Sequence, residues 1–126
     1  MLSNAQVMPT LPAVDLKRAR KFYEEKLGLK VTMEDPSPGM ALQCGKGTMI
    51  YVYQRAATKA DHTAASFVVD DIEAEVKALK GKGVKFEEYN MPGMKTVNGI
   101  ATMDKTKAAW FKDTEGNILG VTQLPK

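Results

Sequence analysis

The chain repeats itself. An apolar run at residues 7–14 leads into an aspartate, a helical stretch and a glycine, and the same order returns at 64–69, at Asp70-Asp71 and at Gly83. Asp15 to Gly28 spans thirteen positions, and so does Asp70 to Gly83. Superposing Asp15 on Asp71 instead puts Leu16 on Ile72 and Met8 on Ala64, so the offset is 55 to 56 residues. Self-similarity of this kind marks one supersecondary unit used twice.

Each copy reads as βαβββ. In the first, residues 7–14 suit a strand whose prolines, Pro9 and Pro12, hold it to an edge or a strand start. Asp15 is placed to cap a helix, because its carboxylate can accept from the free amides of the first turn. Leu16, Arg20, Tyr23 and Leu27 recur at helical spacing, Ala19 and Phe22 widen the apolar face, and Gly28 ends the run. Short strands are expected at 29–33, 40–44 and 48–54, with turns at 36–39 and 45–47.

In the second copy, residues 64–69 read as a strand. Asp70 or Asp71 caps a helix with Ile72, Val76 and Leu79 inward, and Asp70 with Glu73 forms a carboxylate version of the capping box. Strands are expected at 84–89, 107–112 and 118–123. Residues 55–61 are the linker between the copies. Residues 90–106, with Pro92, Gly93, Gly99 and three methionines, read as a long insertion loop, functional or mobile. At 126 residues the whole is one domain, 1–126, with module one at about 5–54 and module two at about 62–126.

Charge and composition exclude several classes. The net charge of +3 is scattered along the chain, whereas a nucleic-acid binder concentrates basic residues and interleaves aromatics. No apolar run is long enough to span a bilayer. Residues 1–6 carry no basic leader region, and a single cysteine, Cys44, cannot form an intrachain disulfide. The expectation is a cytoplasmic protein with no nucleic-acid or membrane partner and with Cys44 an inert, buried thiol.

Local strings narrow the fold further. Leu11-Pro12-Ala13-Val14-Asp15-Leu16, Arg18-Ala19, Phe22-Tyr23 and Leu27-Gly28-Leu29 come in that order in the first copy. Phe67-Val68-Val69-Asp70-Asp71-Ile72, Gly83-Val84, Ala109-Trp110-Phe111-Lys112-Asp113 and Glu115-Gly116-Asn117 follow in the second. Together they cover nearly the whole chain, which resembles the vicinal-oxygen-chelate superfamily of glyoxalase, bleomycin-resistance and extradiol-dioxygenase proteins. The resemblance implies an α+β fold, with tandem βαβββ modules forming a curved mixed sheet around a cavity. It also implies a homodimer with pockets lined by both subunits, and a small-molecule ligand. In metal-using relatives, four strand residues (His, Gln or Glu) hold a divalent cation that acts as a Lewis acid on the substrate.

Carried over position by position, those four do not supply ligands here. Seven before Asp15 stands Met8, seven before Asp71 stands Ala64, and three after Asn117 stands Gly120. The fourth falls within 50–53, where only Tyr51 and Tyr53 carry oxygen, and neutral tyrosine is a poor ligand for a hard cation. The expectation is therefore no metal cofactor. The expected pocket is lined by Met8, Tyr51, Tyr53, His62, Ala64, Trp110 and Gly120, and no catalytic residue is assigned.

Each of these has a plainer reading. His62, the only histidine, can be a rim residue, a ligand contact or a shifted metal ligand. Tyr51 and Tyr53 share a strand face and can stack on a planar ligand or simply pack. Trp110 can wall a pocket or fill the core, with Phe111 opposite it in the core, and the methionines suit an adaptable pocket as well as ordinary gap filling. The acidic cluster Asp70, Asp71, Glu73 and Glu75 reads as capping plus a solvated face. The function expected is metal-independent binding of a small, mostly apolar molecule in the cavity between modules. The alternative is a metal-dependent lyase, isomerase or dioxygenase of the glyoxalase type. It would use displaced ligands, with His62 joined by acids such as Glu34, Glu87, Glu88 or Asp104. A dimer with no small ligand is the third reading.

Overall fold

Two aspartates start the two helices. In the computed structural model, which describes residues 1–125 and leaves Lys126 outside the described residues, Asp15 Oδ1 accepts from the Arg18 amide at 3.1 Å. Helix α1, Leu16–Glu25, follows. Asp71 Oδ1 accepts from the Ala74 amide at 3.2 Å and starts α2, Ile72–Gly81. The second cap is thus Asp71, and the Asp70–Glu73 capping box does not form. Glu73 instead reaches Lys107, 3.0 Å away on a neighbouring strand. Helix α2 stops in a paired motif: the Val84 amide donates to Leu79 O and the Gly83 amide to Lys80 O, both at 3.0 Å. Gly83 sits at φ +92, where only glycine is unstrained.

The strands confirm the repeat. The first sheet contains β1 (Thr10–Ala13), β2 (Lys30–Asp35), β3 (Gly39–Gln43) and β4 (Met49–Gln54) in the order β1-β4-β3-β2. The second contains β5 (Thr63–Val68), β6 (Asn90–Met91), β7 (Met94–Val97), β8 (Ile100–Met103), β9 (Thr106–Lys112) and β10 (Ile118–Gln123) in the order β5-β10-β9-β8-β7-β6. In both, the first strand pairs parallel with the last and the others run antiparallel. The chain is α+β with two mixed sheets.

Two expectations in the second module are corrected. Residues 84–89 do not form a full strand. Phe86 makes a single bridge to Phe111, and Glu87 donates to Trp110 O at 2.8 Å. The edge of β9 is already occupied by β8 up to Ala109, so only residues 110–112 remain open to this segment. Residues 90–106 are correspondingly not a loop. They form the β6-β7-β8 meander that extends the second sheet, and β8 takes much of the place that β2 holds in the first.

The helix-facing sides of both sheets share one core. Leu11, Leu42, Ile50, Val52 and Tyr23 from the first module join Ile72, Val76, Phe111, Leu119 and Val121 from the second. Phe111, 1% exposed, packs on Phe22 of the first module at 6.4 Å between ring centroids and on Phe86 at 5.5 Å. Truncating such a residue to alanine costs roughly 3–5 kcal/mol. Among the described residues, no helix is long and apolar enough to cross a membrane.

Candidate functional site

Strand alternation assigns most of the candidate residues to the faces turned away from the helices. Ile50 and Val52 enter the core, so Tyr51 and Tyr53 lie on the opposite face of β4. Ala109 and Phe111 enter the core, so Trp110 lies on the opposite face of β9; Leu119 and Val121 do the same for Gly120 on β10.

Register then settles which tyrosine matches Gly120. Thr10 pairs with Tyr51, and Ser66, its counterpart at an offset of 56, pairs with Gly120. Tyr51 and Gly120 are therefore equivalent positions of the two modules. The Tyr51 hydroxyl is 3.2 Å from Asp35 Oδ2 and donates to it. Its ring crosses Gly39 so closely that a Cβ there would lie 2.1 Å from the hydroxyl oxygen. A Cβ on Gly120 would lie 2.5 Å from Ser66 Oγ and 3.5 Å from Thr63 Cγ2. A side chain at either place would have to displace the group that lies over it.

The remaining candidates are placed as follows. Met8 precedes β1 and is 39% exposed. His62, just before β5, is exposed and makes no side-chain hydrogen bond or ion pair among the described residues. Pairing between β5 and β10 shifts by one residue between Ile118 and Leu119, and Ala64 is the unpaired extra residue. Ala64 packs against the core, so Thr63 and Ser66 flank Gly120 in its stead. Trp110 is half-buried and meets Tyr89 edge-on at 5.5 Å. Cys44 is half-buried, and desolvation pushes its thiol up, leaving little thiolate.

Asp35, Ser66 and Tyr89 were not legible as neighbours of the candidates. They reach them through strand pairing and chain return, for which the sequence carries no local signal. Among the described residues, no three His, Cys, Asp or Glu side chains converge as a metal-binding group. No hydrogen bond or ring contact joins the Tyr51 face to the Trp110 face among the described residues. The space where the two modules meet is a crevice of about 320 Å³ lined by Leu27, Leu29, Phe67, Leu79 and Phe111, and none of the seven candidates lines it.

A different set of residues fastens the modules. Glu115, its side chain 1% exposed, accepts from the amides of Val14 at 2.9 Å and Asp15 at 3.0 Å. It also takes a two-pronged bond from Arg18, through Nε at 2.8 Å and Nη2 at 3.1 Å. Burial alone would raise this carboxyl. The Arg18 guanidinium and the amides outweigh burial and hold it at about 2. Asn117 Nδ2 donates to Pro12 O at 2.9 Å, a second tie between the modules. These contacts fasten the two modules together.

The comparisons with known proteins follow the same lines. The model of the glyoxalase/bleomycin resistance protein/dioxygenase superfamily matches residues 5–121. No curated protein sequence matches. Among solved structures, the chain is similar to UcmS2, with 17% identity, 94% of this chain and 98% of that one covered, and a TM-score of 0.73. It is similar to TnmS3, an antibiotic binding protein from Streptomyces sp. CB03234, with 21% identity, both chains covered in full and a TM-score of 0.70. It is also similar to the fosfomycin resistance protein FosX of Listeria monocytogenes, with 16% identity, 96% and 90% covered and a TM-score of 0.67; that protein was solved with Mn(II) and a dihydroxypropylphosphonic acid. At such identities the likeness of structures speaks for the fold alone. With the family's model spanning both modules and the βαβββ topology present twice, the chain belongs to the glyoxalase/bleomycin resistance protein/dioxygenase superfamily.

Proposed function

We propose that this chain binds a small, mostly apolar molecule without a metal, in a pocket that two copies complete. The supporting observation is the pair of equivalent positions Tyr51 and Gly120. One is a phenol already bonded to Asp35, and the other is a glycine covered by Ser66, so the donor set does not fit a divalent cation. No catalytic step through a metal follows from these residues. What the outer faces offer instead is aromatic and thioether surface: Met8, Tyr51 and Tyr53 on the first module, Trp110 on the second, with His62 at the rim.

The two faces belong to separate sheets, and the shared core between the modules of one chain leaves only the crevice of about 320 Å³, which none of the candidates lines. A closed pocket therefore needs the first-module face of one protomer set against the second-module face of its partner. Exposed apolar residues on those faces, Met49 at 38% and Val68 at 67%, support a contact of that kind. TnmS3, by name an antibiotic binding protein, is a precedent for binding on this fold.

Elemental analysis of the protein before and after incubation with manganese, zinc, nickel and iron tests the reading. No stoichiometric metal is expected. One ion per protomer would overturn it and turn attention to His62 and the glyoxalase-type chemistry of the alternative.

A further inference from the structure

A groove on the other side of the second sheet has no part in that pocket. Helix α2 presents Glu73, Val76, Lys77 and Lys80 at positions i, i+3, i+4 and i+7, which form one stripe. Opposite lie Lys95 and Val97 of β7, Ile100 and Thr102 of β8, and Lys107 of β9. Strand pairing sets Val97 beside Ile100 and Thr102 beside Lys107, so the sheet presents an ordered surface to the helix. The open groove between them offers about 640 Å³, within the size of small-molecule sites.

Two ties hold its walls. Lys107 Nζ meets Glu73 Oε1 at 3.0 Å, and Lys80 Nζ donates to Asn98 O at 3.0 Å, on the tight turn joining β7 to β8. Glu73 and Lys80 stand about 10 Å apart along the helix axis. Between the ties, the side chains of Lys77 and Lys95 have no hydrogen-bond or ion-pair partner among the described residues, and Val76 and Ile100 supply an apolar floor. Four lysines face one carboxylate here, so the lining of the groove carries a local surplus of three positive charges.

We infer that this groove binds a small organic anion with an apolar body, such as a medium-chain carboxylate. Its head group would pair with Lys77 and Lys95 and its chain would lie along Val76 and Ile100. An inorganic anion lacks the apolar part, and a cationic amphiphile meets the wrong charge. The pocket proposed above faces away from α2, so the two sites are independent.

The test is a titration of the isotope-labelled full chain with decanoate, followed by amide chemical shifts. Saturable shifts are expected at residues of α2, β7 and β8, with none from decyltrimethylammonium or inorganic phosphate. The double substitution Lys77→Gln, Lys95→Gln should weaken decanoate about five- to tenfold, and Lys77→Arg, Lys95→Arg should retain it. Both pairs are at exposed positions, so the fold is expected to survive, and the arginine pair separates loss of charge from loss of structure. Absence of saturable shifts overturns the inference. So do shifts centred on Tyr51 and Trp110, equal response to the cationic amphiphile, or unchanged affinity in the glutamine pair.

Discussion

The hydroxyl of Tyr23 in α1 donates to Asp113 Oδ2 across 2.6 Å, between two buried residues 90 positions apart in the chain. Asp113 in turn accepts from the Glu115 and Asn117 amides, each at 2.8 Å, and so shapes the turn before β10. Burial first, and then the Asp113 charge, push the Tyr23 hydroxyl far above the ordinary phenol range and keep it a donor. Tyr23→Phe removes this bond and leaves the carboxylate one donor short. A loss of about 1–3 kcal/mol is expected, read as a lower urea midpoint at unchanged slope. A loss below about 0.5 kcal/mol would show that the bond is worth no more than its exchange with water.

Acid should weaken the junction between the modules through Glu115. Its carboxyl stands at about 2 in the folded chain against an ordinary 4.5, so the unfolded chain binds the more protons between those values. The stabilisation is fully present above about pH 4.5 and is lost as pH falls towards 2. Its size is on the order of 2–3 kcal/mol. Denaturation midpoints from neutral pH to pH 2.5 should fall more steeply for the native chain than for Glu115→Gln. Parallel curves would falsify the assignment.

Gly39 and Tyr51 should behave as a coupled pair. A methyl group at Gly39 must displace the Tyr51 ring, because it would lie 2.5 Å from Cζ, and the bond to Asp35 goes with it. Gly39→Ala should therefore destabilise by about 1–2 kcal/mol in the native background and by much less when Tyr51 is alanine. Additive costs in the double-mutant cycle would mean that the two do not interact.

Trp110, the only tryptophan, offers a direct reading of the pocket that two copies complete. An uncharged apolar dye such as Nile red, bound on these faces, should change Trp110 emission, and either Tyr51→Ala or Trp110→Ala should reduce its binding. Mixing the two variants restores one pocket with both native faces in each mixed dimer, so binding should return in part. If each pocket lies within one chain, the mixture binds no better than its components.

The local elements were legible because their causes are local. The caps at Asp15 and Asp71 act over three residues, the stop at Gly83 depends on its own backbone angle, and the offset of the repeat foretold two sheets with one topology. The candidate face was legible in part. Alternation put Tyr51, Tyr53, Trp110 and Gly120 away from the core, but a one-residue shift in pairing turned Ala64 inward and brought Thr63 and Ser66 beside Gly120.

The sequence by itself determined two βαβββ units and where their helices begin and end. Only the tertiary structure decided that residues 90–106 are strands, that Glu115 and Asp113 fasten the modules, and that four lysines share one groove. The physical reason is range. Capping, turns and alternation are fixed by neighbours a few residues away, whereas Glu115 reaches the Asp15 amide over 100 positions. Which distant groups meet is decided by how the two sheets and helices pack.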